Sequence, residues 1–140
     1  MQQQISVITL GVTDMARSRR FYAEGFGWKT VYEDEAIHFY QMNGLVLGCF
    51  REDMMLEDSG RSSFNRSGAY ALAHNVPTSE DVALLMDRLV AAGGKIIQPA
   101  AAPPHGGKRG YVTDPDDHAW EIAWNPAWRI DKHGHVTFGL

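Results

Sequence analysis

Glu121 lies in Ala119-Trp120-Glu121-Ile122-Ala123-Trp124, a run that alternates like a strand. His118, Trp120, Ile122 and Trp124 point one way; Ala119, Glu121 and Ala123 point the other. A carboxylate between two alanines has room in front of it. It is a solvated charge, a polar anchor for a ligand, or, if desolvated, a general base with a raised pKa. The six histidines are the other candidates: His38, His74, His105, His118, His133 and His135. His74 and His118 share their faces with Leu72 and Trp120, the pattern of structural histidines packed beneath helices. His105 lies in a Pro/Ala/Gly loop from which it can overhang a cavity. His133 and His135 flank Gly134 as an exposed turn. Arg17, Arg19 and Arg20 read as a solvated helix face. No Ser/His/Asp set, phosphate loop or dinucleotide fingerprint occurs, and Gly106, Gly107 and Gly110 are too closely flanked by strand to cradle a phosphate.

These side chains need a frame. Ile5–Val12 reads as a buried strand, Asp14 as an N-cap, and Met15–Glu24 as a helix ended by Gly25 and Gly27. Strands follow at Trp28–Glu33, Ala36–Gln41 and Leu45–Phe50, turning at Asp34-Glu35 and Asn43-Gly44. The polar stretch 51–68 reads as a linker with one helical turn at Met54–Asp58. The pattern then repeats. Ala69–Val76 is a strand, and Thr78 with Asp81 nearly makes a capping box. Val82, Leu85, Met86, Leu89 and Val90 form one helical stripe, which Gly93-Gly94 terminates. A short strand Lys95–Gln98 leads through Pro99–Gly107 to a hairpin turning at Asp114-Pro115-Asp116-Asp117. This is β-α-β-β-β twice, with a repeat of roughly 65 residues. The expected boundaries are 5–50 and 69–126, within a single 1–140 domain that ends in a tail, 127–140. Pairing the units puts helices outside a curved sheet and a concave face inside.

At 140 residues the chain is long enough for one domain with a real core. A net charge of −4 argues against a nucleic-acid partner, which needs a basic stripe. A lone cysteine, Cys49, excludes an internal disulfide and reads as a small core residue in a reducing compartment. Met1-Gln2-Gln3-Gln4 has neither a basic nor a long apolar character, and no apolar run is long enough to span a membrane. The expected address is the cytoplasm.

The repeat resembles the vicinal oxygen chelate superfamily, the glyoxalase / bleomycin-resistance / extradiol-dioxygenase group. The likeness also rests on Thr9-Leu10-Gly11-Val12-Thr13-Asp14, Ser18-Arg19-Arg20-Phe21-Tyr22 and Asp114-Pro115-Asp116-Asp117-His118-Ala119-Trp120-Glu121. The resemblance covers about Ile5 to Pro126. It implies an α+β fold of two βαβββ modules around a cup-shaped cavity, in a homodimer. Metal-using members place ligands on the first and last strands of each module. Carried over, those positions fall on Val7, near Gly48, on Ala71 and on Glu121. A divalent ion needs at least about three converging donors, and this set holds one. No metal or other cofactor is therefore expected.

Alternation turns Thr9, Gly11, Gly48, Ala71, Ala73, Ala119 and Ala123 inward, with Phe39, Tyr111 and Trp28 near the rim. Small residues around a concavity suit a small organic ligand, unless the tail or a partner subunit fills the space. The expected ligand contacts are Val7, Thr9, Phe39, Gly48, Ala71, Ala73, His105, Tyr111 and Glu121. The leading expectation is a metal-independent small-molecule binder. The alternatives are a lyase, isomerase or dioxygenase with a displaced metal site, a metal-free enzyme using Glu121 as general base, and an inert module.

Overall fold

The computed structural model describes residues 3, 5–64, 70–104 and 106–138. Module 1 contains β1 (Val7–Val12), α1 (Met15–Arg20), β2 (Thr30–Glu33), β3 (Ile37–Gln41) and β4 (Val46–Arg51). α2 (Glu52–Ser59) connects it to β5 (Leu72–Asn75), α3 (Ser79–Ala91), β6 (Lys95–Ala101), β7 (Lys108–Thr113) and β8 (Ala119–Trp124). Two separate four-stranded sheets result, β1-β4-β3-β2 and β5-β8-β7-β6, where the sequence suggested one curved sheet. Each has one parallel pair, β1 with β4 and β5 with β8, and the registers match: Thr9 faces Gly48 as Ala73 faces Glu121.

Helix ends follow the local chemistry. Asp14 caps α1 by accepting the Arg17 N–H at 2.9 Å. After Arg20 the chain widens into a π-turn, Phe21–Gly25, so the expected single helix is in two parts. Thr78 and Asp81 complete a capping box on α3. The far end of α3 is a Schellman motif, in which Gly93 N–H donates to Val90 C=O at 3.0 Å and Gly94 N–H to Leu89 C=O at 2.9 Å. Gly93 has φ +111°, a region open to glycine and strained for other residues. The connector holds a two-turn helix, longer than the single turn expected, with Arg51 paired to Asp53 at 2.7 Å at its start and Gly60 ending it at φ 68°. The tail closes into a short hairpin, β9 (Arg129–Ile130) with β10 (Val136–Thr137), whose turn is held to module 1 by an Asn43 Nδ2–H donated to the His133 carbonyl at 3.0 Å.

Alternating residues of both sheets meet the helices in one core: Leu10, Val12, Tyr40, Leu47 and Cys49 from module 1, and Val112, Trp120 and Ile122 from module 2. Phe21 and Tyr22 of the π-turn and Val82, Met86 and Leu89 of α3 close it. Trp28 belongs here, stacked on Phe26 at 4.2 Å and on Tyr22 at 5.9 Å, and not at the cup rim. Its flat ring joins an aromatic pile that a rim position would leave in water.

His74 packs on the same pile, 5.5 Å from the Phe26 ring. Burial holds its pKa below the ordinary 6.5. The unfolded chain binds that proton more readily, so His74 contributes full stability above pH 6.5 and loses it as pH falls from 6.5 towards the folded value. Denaturant midpoints measured across this window are expected to fall on acidification less steeply in His74→Leu than in the wild type.

Candidate functional site

The site begins at the turn between β7 and β8. Asp114 is 2% exposed, and its Oδ1 accepts the N–H groups of Asp116 and His118, both at 2.9 Å. Its Oδ2 accepts the Tyr22 hydroxyl at 2.8 Å, and Tyr22 in turn accepts the Trp120 indole N–H at 3.3 Å. Asp117 closes the turn at φ 72°, a conformation aspartate tolerates. The register that follows pairs Thr113 with Ala119, Tyr111 with Glu121 and Arg109 with Ala123.

Burial decides which face each residue takes. Trp120 and Ile122 lie in the core, and a side chain at Gly110 would strike Met86 of α3. Arg109, Tyr111 and Glu121 therefore project from the opposite face, away from the helices. Arg109 Nε stands 3.9 Å from Glu121 Oε1, with the two side chains 35% and 27% exposed. The guanidinium also sits 5.6 Å above the Tyr111 ring, a cation–π contact. Burial first, and then the Glu121 charge, holds the Tyr111 hydroxyl above its ordinary pKa. Ala73 lies beside Glu121, and Asn75 beside Ala123, on the same face. The wall is a cation, an anion and a phenol around two alanines.

Arg109 escaped the sequence reading. The signal was present, since pairing backwards from the Asp-Pro-Asp-Asp turn puts Arg109 and Glu121 on one face. The alternation was followed along β8 but not across to β7.

Module 1 presents Val7, Thr9, Gly48 and Phe39. A side chain at Gly48 would stand 3.0 Å from the Phe39 ring and 3.5 Å from Thr9 Oγ1, so Phe39 lies over the glycine. A side chain at Gly11 would stand 3.3 Å from the Phe64 ring and 3.5 Å from Met55 Sδ. The connector thus covers the end of β1. A separate cleft of about 330 Å³, lined by Val12, Thr13, Arg51, Glu52, Asp53 and Leu56, does not include Glu121.

The modules are joined beside this face. His118 Nε2–H donates to the Gly11 carbonyl at 2.8 Å, which leaves Nδ1 to accept from the Tyr70 hydroxyl at 3.0 Å. His118 is thus a bridge at the module junction, where alternation had placed it with the core face. Asp116 Oδ1 accepts from Thr13 N–H, Thr13 Oγ1–H and Arg17 Nη2–H, at 3.0, 2.8 and 3.0 Å. His105 lies outside the described residues. His133 and His135 sit in the exposed tail turn, where the Asp131 carboxylate accepts their N–H groups.

The matched registers make Gly48 and Glu121 equivalent positions of the two modules, and likewise Val7 and Ala71. Of these, only Glu121 offers a metal donor. Among the described residues no three His, Cys, Asp or Glu side chains are grouped to hold an ion. Among the described residues these four positions supply one donor, short of the roughly three that a divalent ion needs, and no chemical step is assigned to an ion.

Paired βαβββ units, each a four-stranded sheet with helices packed on one face, define the class. The chain belongs to the Glyoxalase/Bleomycin resistance protein/Dioxygenase superfamily, whose model matches residues 4–122. It is similar to a glyoxalase-related enzyme from Fulvimarina pelagi, at 55% identity over 99% of this chain and 100% of that one, with a TM-score of 0.96. Two other likenesses show the fold alone. The fosfomycin resistance protein FosX from Listeria monocytogenes matches at 23% identity and TM-score 0.70, covering 89% of this chain and 95% of that one. A lactoylglutathione lyase from Agrobacterium tumefaciens matches at 17% identity and TM-score 0.69, covering 89% and 96%.

Proposed function

We propose that the chain binds a small organic molecule against its concave face, without the metal that other members of the superfamily use. The observation that carries this reading is the polar group Arg109–Glu121–Tyr111 standing over Ala73 and Ala123, with small or apolar side chains at the equivalent positions of module 1. Side chains this small leave volume that a packed core would fill. The apolar body of the ligand lies towards Val7, Thr9, Gly48 and Phe39, and its polar end towards Glu121. Ala71, Tyr111 and His105 complete the proposed contacts. Glu121 has a guanidinium neighbour, which suits an anchor better than a lone base. We place the protein in the cytoplasm as a homodimer, whose mass in solution light scattering would read directly.

A thermal-shift screen of small aromatic compounds tests the reading. A true ligand at about 100 times its dissociation constant stabilises the fold by roughly 2.7 kcal/mol. Glu121→Gln is expected to abolish most of that shift while leaving the unliganded midpoint within about 0.5 kcal/mol, as befits a partly exposed position. A shift that persists in Glu121→Gln would place the ligand elsewhere. A turnover that vanishes while binding survives would make Glu121 catalytic.

A further inference from the structure

The Arg109–Glu121 pair is too long to be a hydrogen bond. Charge-assisted N–H···O contacts close to about 2.7–2.9 Å, whereas these atoms stand 3.9 Å apart. Each ion thus meets the other only loosely; the Tyr111 hydroxyl also engages the Glu121 carboxylate, and the bonding capacity left on both ions faces away from the helices. Tyr111 holds the guanidinium over its ring. Beside the pair lie Ala73 and Ala123, which have nothing to offer either charge, and then Asn75, an amide that both donates and accepts.

A simple ligand charge is poorly served here. A lone carboxylate drawn to Arg109 meets the Glu121 carboxylate at its side, and a lone ammonium drawn to Glu121 meets the guanidinium. Like-charge approach of this kind disfavours binding. A ligand carrying both charges on neighbouring atoms meets neither penalty. It exchanges one loose pair for two direct ones.

We infer that this wall takes a zwitterionic head group, an ammonium and a carboxylate borne on one carbon, attached to an apolar body: the chemical class is an α-amino acid with an aromatic or aliphatic side chain. The carboxylate lies on Arg109 with Asn75 beside it. The ammonium lies on Glu121 near the Tyr111 hydroxyl, and the apolar body extends towards Phe39 and Gly48. The inference rests on the concave-face binding proposed above and specifies its substrate class.

The test is calorimetric titration at neutral pH with probes that share a phenyl body and differ in the head: phenylalanine, 3-phenylpropanoate, 2-phenylethylamine and the uncharged 3-phenylpropanamide. Phenylalanine is expected to bind at least about ten-fold more tightly than either singly charged probe, a difference of roughly 1.4 kcal/mol. Glu121→Gln is expected to erase its advantage over 3-phenylpropanoate, and Arg109→Gln its advantage over 2-phenylethylamine. The double exchange Arg109→Glu/Glu121→Arg should recover part of the zwitterion preference that each single change removes. A wild type that binds 3-phenylpropanoate or 2-phenylethylamine as tightly as phenylalanine would overturn the inference. Equal binding of all the probes, the uncharged one included, would overturn the head-group assignment and leave the concave-face reading intact. Binding of none would refute the amino-acid class, and the broad thermal-shift screen then decides the wider reading separately.

Discussion

Asp114→Ala is expected to destabilise the protein by about 3–5 kcal/mol, because buried donors left without acceptors cost roughly 1–3 kcal/mol each. The carboxylate takes three hydrogen bonds, from the Tyr22 hydroxyl and from the N–H groups of Asp116 and His118. Removing it strands all three donors at a site 2% exposed. The damage spreads beyond the turn. Tyr22 belongs to module 1 and Trp120 to β8, so the chain Trp120–Tyr22–Asp114 bolts the two halves together. Asp114→Asn should cost less, since one amide oxygen can still accept the turn N–H groups. Denaturant midpoints of both variants, with Tyr22→Phe as the partner in a double-mutant cycle, separate the bolt from the turn. An Asp114→Ala variant within about 1 kcal/mol of wild type would show that water replaces the carboxylate without loss.

Gly94→Val is the second large effect. Even a bare Cβ at Gly94 would sit 2.7 Å from the Phe21 ring, 2.8 Å from the Thr113 carbonyl oxygen and 2.8 Å from Val112 Cγ1. One of those neighbours is backbone of β7, which cannot swing aside like a side-chain tip. Overpacking of this kind typically costs about 1–3 kcal/mol, and valine's two further methyl groups put it at the upper end. Gly94→Ala should fall lower in that range. Because the collision lies where α3 leads into β6, the face carrying Arg109 and Glu121 should stay intact in the surviving folded fraction. Ligand shifts in the variants therefore distinguish a fold defect from a site defect.

The motifs that carried the resemblance turn out to be parts of this one joint. Phe21-Tyr22, Asp114 and Trp120 are far apart in sequence, and each looked like a local signal: part of a helix, a turn residue, a strand aromatic. Alternation and capping rules made most strands and the ends of both module helices legible, including Asp14, the Thr78–Asp81 box and the Gly93-Gly94 stop, but not the π-turn or the tail hairpin. The hydrogen bonds from Trp120 through Tyr22 to Asp114 cross between modules, and no local periodicity encodes such a contact. The same limit explains Trp28, whose strand-like setting pointed to the rim while its stacking on Phe26 and Tyr22 was decided by residues outside its own run. It also explains α2. Its second turn accompanies the packing of Met55 and Phe64 against Gly11, which composition does not reveal. At the candidate site Glu121 was visible because its neighbours are small. Arg109 became visible only once strand pairing set the two residues on one face.

The Phe39 ring resting on Gly48 sets the order in which this surface can change. Position 48 is the module 1 counterpart of Glu121, so a carboxylate there would be the natural first step towards a second donor. Its Cβ would meet the ring at 3.0 and 3.3 Å before any carboxylate could be placed. The Phe39 ring must first give way by a few tenths of an ångström. A route to a second donor here, by drift or by design, therefore runs through the packing of Phe39 on Gly48 before it reaches the chemistry of an ion.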